Sequence, residues 1–480
     1  MEKHSVHAYE MYIDGKWTGK DLEQIDVINP ATNELLATVP KGGEKEAKAA
    51  VDAASAAFPE WSKKTAEQRS DLLKKWHQLI DEEKKSIGKM MTKEQGKPLK
   101  EAIGEVDYAN GFVAWYAEEA KRVYGETIPA SQPNKRIFVQ KQPVGVVAAI
   151  TPWNFPAAMI TRKIAPALAT GCTVVLKPAT QTPITAYKLV ELAEKAGIPK
   201  GVINIITGSS SKIGKTWSDD ERVRKVTFTG STEVGKLLMR DAADTMKKIS
   251  LELGGHAPLI VMEDADLDKA VEGIIASKFR NAGQTCVCTN RVYVHASIEK
   301  TVLEKLDAAV RKLRVGNGLE EGVDIGPLID HPAIEKVEAH VQDAVERGGY
   351  VTQGGDNLQS GHGYYYQPTV IANATDSMLC MNEETFGPVV PVASFKSEEE
   401  AIKRANNTPF GLAAYVFTES ISEAIRISEA LEYGIIGLND GSPSTPQAPF
   451  GGFKESGLGR EGGPQGIEEF LETKYISLAF

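Results

Sequence analysis

Cysteine is scarce in this chain: there are four in 480 residues, Cys172, Cys286, Cys288 and Cys380. That excludes a disulfide-framed fold and fits a reducing compartment. Positive charge is not in excess. Lys and Arg number 55 against 65 Asp and Glu, a formal net charge of −10, which argues against broad binding to nucleic acid or an anionic membrane. A local basic pocket for a small anion remains compatible with that average. Long apolar runs are missing too. The most apolar run, Val144–Ile150, is far shorter than the roughly 20 residues a membrane-spanning helix needs. Met1–Glu10 has no apolar core of signal-peptide type, so a cytoplasmic protein is the expectation. No internal repeat stands out, and no Gly-x-Gly-x-x-Gly follows the β-rich runs of the middle of the chain. What is present is an ordinary globular composition, 42% hydrophobic and 25% charged, in a chain long enough for about two to three domains.

Met11–Trp17 reads as a hairpin, and Ile28-Asn29-Pro30-Ala31-Thr32 as a strand ending in a turn. Glu44–Trp61 has apolar residues at helical spacing. Thr65-Ala66-Glu67-Gln68 matches a capping box opening a second helix, and Pro98 can open a third. From about residue 140 short β-rich runs, 144–150, 173–176, 202–206 and 225–228, alternate with helical stretches near 157–169, 183–196, 210–217 and 232–244. This alternation predicts βαβ units and a parallel sheet covered on both faces, with ligands at the carboxyl ends of its strands. Pro258–Met262 starts a second α/β unit, with helices over 266–280, 303–313 and 397–404. The segment 434–460, rich in Gly, Pro and Ser, reads as a functional loop, and 474–480 as an extended tail that pairs with a sheet.

The strongest local signal is Phe279-Arg280-Asn281-Ala282-Gly283-Gln284-Thr285-Cys286-Val287-Cys288. Taken alone, the two cysteines read as buried packing residues. A Gly-Gln-Thr turn, however, exposes backbone N–H groups able to hold a thiolate or an oxyanion. Nucleophilic chemistry also needs a base and an oxyanion donor. Glu252, at the end of an apolar strand and before Gly254-Gly255, suits general-base work if burial raises its pKa; the alternative is a strand-end carboxylate paired with Lys or Arg. Asn154, in Thr151-Pro152-Trp153-Asn154-Phe155-Pro156, places an amide donor at the sheet's carboxyl edge, or simply caps a turn. Gly208 and the Gly230-Ser231 turn each follow a strand and open a helix, where a diphosphate can sit on backbone N–H groups. Lys177 closes a strand within reach of a ribose or phosphate.

These residues, with Lys177-Pro178, Glu384-Thr385-Phe386-Gly387-Pro388 and Pro449-Phe450-Gly451-Gly452 in the same order, make the sequence resemble the aldehyde dehydrogenase superfamily from about residue 29 to 474. The resemblance implies an α/β fold: a Rossmann-like cofactor domain, an α/β catalytic domain and a small β oligomerisation arm. It divides the chain into 1–120 with 141–253 for NAD(P), 254–440 for catalysis, 121–140 with 465–480 as the arm, and 441–464 as a loop returning to the cofactor domain. It implies Cys286 as nucleophile, Asn154 with the Cys286 N–H as oxyanion donors, and Glu252 as the base that activates water. Lys163 and Glu461 match positions linked to proton passage. Trp153, Lys177, Thr180, Gly208, Gly230, Ser231, Glu384 and Phe386 fall to NAD or NADP, with no metal. Many NAD-preferring members carry Glu where this chain has Thr180; losing that carboxylate removes repulsion of a 2′-phosphate, so acceptance of NADP, even preference for it, is expected. A homodimer or homotetramer is implied.

Arg162, Arg280 and Ser444 are similar to the succinate-semialdehyde dehydrogenase branch, where matching residues grip the substrate's far carboxylate. Two guanidiniums and a hydroxyl make a good carboxylate clamp, although a surface salt bridge is the commoner fate of arginine. The expected reaction is NAD(P)-dependent oxidation of succinic semialdehyde to succinate. Glutarate semialdehyde or a broad range of aldehydes is the alternative; a non-catalytic member of the fold fits the intact Asn154, Glu252 and Cys286 less well, and a CoA-acylating relative is disfavoured by Glu252. Cys288, beside an expected low-pKa thiolate, reads either as a redox partner of Cys286 or as a small packing residue.

Overall fold

The apolar, β-branched runs of the middle of the chain form strands with both faces covered, as their lack of alternation requires. In the computed structural model, which describes residues 7–358 and 363–480, Val146–Ile150, Thr173–Lys177, Ile203–Ile205, Val223–Thr229 and Lys248–Glu252 lie parallel in an eight-stranded sheet. Numbered along the chain, these five strands are ordered 3-2-1-4-5, the doubly wound arrangement. Helices 158–170, 184–195, 210–219 and 232–243 connect them. The strand order reverses between Val146–Ile150 and Val223–Thr229, and the loops leaving these neighbours are Thr151–Pro156 and Gly230–Ser231. Ligands bind at such a switch point, outside the carboxyl ends of the strands.

The hairpin Met11–Ile13 and Lys16–Thr18 extends one edge of this sheet. The other edge is closed by Gly457–Leu458, antiparallel to Lys248–Glu252. Three long helices, 44–63, 66–95 and 99–119, precede the parallel strands. Thr65 caps the second through the expected reciprocal pair: Gln68 N donates to Thr65 Oγ1 at 3.2 Å and Thr65 N to Gln68 Oε1 at 3.0 Å.

A second, seven-stranded sheet carries Ala257–Val261, Thr289–His295, Val389–Phe395, Ala413–Phe417, Ile435–Leu438 and Thr369–Ala372 in parallel, with Tyr350–Gln353 antiparallel at its edge. Its hydrophobic core is built from residues between Ala257 and Phe450. Helices 331–346 and 421–430 cover it; neither was among the helices expected from sequence, although Ile334, Val337, Val341 and Ala344 recur at helical spacing in the first. The chain passes from one sheet to the other through Gly254-Gly255. Leu471–Ala479 pairs along its whole length with Lys135–Pro143, and Glu126–Ile128 completes a separate, exposed three-stranded sheet. Among the described residues no helix is long and apolar enough to cross a membrane.

Candidate active site

Cys286 sits where the two sheets meet. The helix Leu267–Lys278 ends in a turn whose backbone is left-handed at three consecutive residues, Asn281 (φ 52°), Ala282 (φ 55°) and Gly283 (φ 76°). Two of these carry side chains, a strain of roughly 1–2 kcal/mol each. Surrounding hydrogen bonds hold the turn. Asn281 N donates to Glu101 Oε2 at 2.8 Å, Gln95 Nε2 to Asn281 Oδ1 at 2.9 Å, and Ile329 N to Gln284 Oε1 at 2.9 Å. The loop that carries Cys286 is thus fixed from outside itself. The diglycine beside it has a steric cause: a Cβ on Gly255 would lie 2.3 Å from the Cys286 carbonyl oxygen, and one on Gly254 would lie 3.2 Å from Glu384 Oε2.

Asn154 Nδ2 donates to the Gln284 carbonyl at 3.0 Å, which brings the amide against the loop of Cys286. The Asn154 carbonyl accepts from Lys97 Nζ at 2.8 Å and from Asn281 Nδ2 at 3.0 Å. Lys97 is buried, ion-paired with Glu105, and 3.9 Å from the centroid of the Phe155 ring. Glu105 in turn accepts from Ala157 N at 2.9 Å and Ala158 N at 3.3 Å, at the start of helix 158–170. Residues 95–105 therefore brace both Asn154 and the 281–284 turn. Sequence reasoning missed this brace; its signal is Gly96-Lys97-Pro98, a cation in a tight turn between two long, largely apolar helices.

Glu252 is buried at its strand end, and Oε2 has no hydrogen-bond partner. Burial first, then the neighbouring Glu461 carboxylate, raise its pKa well above the ordinary range. Burial also pushes the Cys286 thiol up to about 12, against the pull of Arg162. That direction runs against the expected low-pKa thiolate: the thiol of Cys286, partly exposed to the cleft it borders, needs a base to deprotonate it.

Arg162 departs from the expected free clamp. Its guanidinium is ion-paired with buried Glu461 and lies 4.3 Å from the Phe450 ring centroid. Glu461 also takes Lys163, whose Nζ donates to Thr229 Oγ1 at 2.6 Å. Burial raises the Glu461 pKa, but Arg162 and Lys163 outweigh it and hold the carboxylate ionised. Arg162 Nη2 is buried with no hydrogen-bond partner among the described residues. Arg280 is half-buried and, among the described residues, paired with no carboxylate; its nearest aromatic contact is Phe155, 5.3 Å from the ring centroid. Arg162, Arg280, Ser444, Tyr108 and Phe450 line a narrow pocket of about 30 Å³ that ends on Cys286.

From the other side Cys286 opens on a cavity of about 390 Å³ lined by Trp153, Asn154, Gly230, Ser231, Glu384 and Phe386. Trp153 and Phe386 meet edge to face, with centroids 5.5 Å apart. Glu384 Oε1 accepts from Gly255 N at 3.2 Å; burial raises its carboxyl to about 7. Lys177, Thr180 and Gly208 do not line this cavity. Lys177 is buried without a carboxylate partner among the described residues, and burial lowers it to about 8. Thr180 borders a neighbouring cavity of about 220 Å³ with Gln181 and Asp330. Gly208 is needed for another reason: a Cβ there would lie 2.1 Å from the Gly42 carbonyl oxygen. A larger cavity, about 640 Å³, lies between 7–10, helix 66–95 and helix 184–195, and none of the candidate catalytic side chains faces it.

A thiol, a buried carboxylate, an amide donor and a cleft at a strand switch point can add a nucleophile to a carbonyl and deliver water to the product. The sequence model described as the aldehyde dehydrogenase family matches residues 17–476. The chain belongs to that family. This aldehyde dehydrogenase is 54% identical over 471 residues to the glutarate-semialdehyde dehydrogenase of Pseudomonas putida, covering 98% of each chain. It is 54% identical over 475 residues to the NADP(+) succinate-semialdehyde dehydrogenase of Escherichia coli, covering 99% of this chain and 98% of that one. The crystal structure of succinate-semialdehyde dehydrogenase from Burkholderia pseudomallei superposes with a TM-score of 0.97 at 50% identity, covering 100% of both chains. As an aldehyde dehydrogenase, the protein has the expected two-sheet α/β architecture with its extra β arm.

Proposed function

We propose that this aldehyde dehydrogenase oxidises a short aldehyde with a distal carboxylate, succinic semialdehyde, to the dicarboxylate, with NAD or NADP as electron acceptor. The observation that carries this reading is Arg280, a guanidinium without a carboxylate partner among the described residues, in the pocket that ends on Cys286. An unpaired cation in a confined pocket calls for an anion. Arg162 Nη2 and Ser444 add donors on the same walls, and an uncharged aldehyde would leave them unsatisfied.

Cys286 Sγ adds to the aldehyde carbon, and the Asn154 amide with the Cys286 N–H steadies the oxyanion. Trp153, Gly230, Ser231, Glu384 and Phe386 would hold the nicotinamide, which would supply the hydride acceptor. The resulting acyl group is carried as a thioester on Cys286. Glu252, its pKa raised, takes the proton from the thiol, releases it, and as carboxylate again takes one from the water that hydrolyses the thioester. Lys163 and Glu461, buried behind Glu252, offer a route for that proton. Thr180 in place of a carboxylate favours acceptance of NADP, with Lys177 as the cation toward the adenosine ribose.

The glutarate homologue is the second reading, favoured by the similarity to the Pseudomonas putida enzyme; one methylene is worth only about 1–3 kcal/mol. The assembly inferred is a homodimer or homotetramer in the cytoplasm, supported by the exposed edge strand Leu471–Ala479 with Tyr475 and Leu478 bare.

The test is kcat/KM for succinic semialdehyde, glutarate semialdehyde and hexanal with each cofactor, on the native enzyme and Arg280→Ala. Arg280→Ala should raise KM for the semialdehydes at least tenfold and leave hexanal nearly unchanged. Equal losses on all three would refute the clamp, and a large NAD preference would refute the cofactor reading.

A further inference from the structure

Cys288 is buried behind the nucleophile's loop, facing neither cavity at Cys286. Its sulfur donates to the Gly283 carbonyl at 3.2 Å and receives Asn290 Nδ2 at 3.7 Å and Lys278 Nζ at 3.8 Å. Lys278, the last residue of helix 267–278, is 0% exposed, and among the described residues no carboxylate pairs with it. Cys288 Sγ is the one hydrogen-bond partner of its amine among those residues. A lysine buried without a counter-ion is costly as a cation. Burial accordingly lowers the pKa of Lys278 and, through the same cause, raises that of Cys288. Both shifts favour the uncharged forms, an amine facing a thiol, with the amine nitrogen 3.8 Å from the sulfur.

We propose that Lys278 and Cys288 form an oxidisable crosslinking site, in which a peroxide converts the pair to an S–N bonded sulfenamide. In the first step the peroxide takes two electrons from sulfur: the O–O bond breaks, the Cys288 thiol becomes a sulfenic acid, and the other oxygen leaves as water or alcohol. In the second step Lys278 Nζ attacks that sulfur. The S–N bond forms, the S–O bond breaks, and the departing hydroxide leaves with the proton lost from nitrogen as water. Sulfenic acids condense with nitrogen in this way, and a thiol reductant restores both side chains. The bond closes residues 279–287 into a ring and leaves Cys286 unconsumed. A Cys286–Cys288 disulfide would instead occupy the nucleophile.

Tryptic mapping of the whole enzyme separates the two. Trypsin cuts after Lys269, Lys278, Arg280 and Arg291, so both cysteines lie on peptide 281–291 and Lys278 ends the peptide before Phe279. After peroxide, with free thiols alkylated and without reductant, peptide 270–280 should appear uncut at Lys278 and joined to 281–291. Its mass should fall below that of the two separate peptides by one pair of hydrogens. Dithiothreitol should abolish the species. Lys278→Arg, which keeps a cation but no nucleophilic amine, and Cys288→Ala should both lack it. If oxidised wild-type enzyme yields only the disulfide within 281–291, or only sulfenic acid, the proposal is wrong. Persistence of the joined peptides in Lys278→Arg would overturn it equally.

Discussion

At the scale of single residues the site is governed by burial. Glu384 shows this most directly: its carboxyl, raised to about 7 by desolvation, is largely neutral in mild acid. An ionised carboxylate accepts from a ribose hydroxyl more strongly than a neutral acid does. Cofactor affinity should therefore rise as pH increases through about 7, and Glu384→Gln should flatten that dependence; fluorescence titration with NADP between about pH 6 and 8 measures both. Asn154→Ala removes one oxyanion donor and should lower kcat by about 10²–10³-fold with a smaller effect on KM, read from steady-state rates. Cys286, Glu252 and Asn154 were legible because each stands at the end of an apolar strand or beside glycines. The pairing of Arg162 with Glu461 was not, because ion pairs between residues so distant in the chain leave no local pattern. Nor could the sequence show the high thiol pKa, which depends on how tightly the loop is enclosed.

At the scale of elements, the turn between helices 66–95 and 99–119 does more than connect them. Lys97 holds the Asn154 carbonyl and Gln95 holds Asn281, so the two halves of the proposed oxyanion site share one support. Lys97→Met strands Glu105 as a buried, uncompensated carboxylate and should cost about 3–5 kcal/mol in denaturant unfolding. Lys97→Arg should recover part of that stability, whereas kcat should recover only if the guanidinium still reaches the Asn154 carbonyl. Helix starts marked by caps, such as Thr65, were readable. The left-handed run at Asn281-Ala282 was not, since only the last of its three residues is a glycine. Its conformation is imposed by hydrogen bonds from other elements, and local sequence carries no trace of them.

At the scale of the whole molecule, the alternation of strands and helices announced a parallel sheet. It did not announce the return of Gly457–Leu458 to the edge beside Lys248–Glu252, which places Glu461 behind Glu252, the proposed general base. The terminal strand Leu471–Ala479 forms nine residue pairs with Lys135–Pro143 and leaves its far edge open. Deleting residues 471–480 should convert the inferred oligomer to monomer, measured by light scattering after size exclusion, because the strand is both a support of the arm and its free edge. A native size in the truncated chain would place the subunit interface elsewhere.

The ion cluster of Arg162, Lys163 and Glu461 also sets an order in time. A ribosome delivers both cations long before their counter-ion, which lies 298 residues beyond Lys163. Until then a nascent chain holds two adjacent positive charges that cannot be buried cheaply. The buried cluster behind Glu252 therefore gains its counter-ion only when synthesis is almost finished.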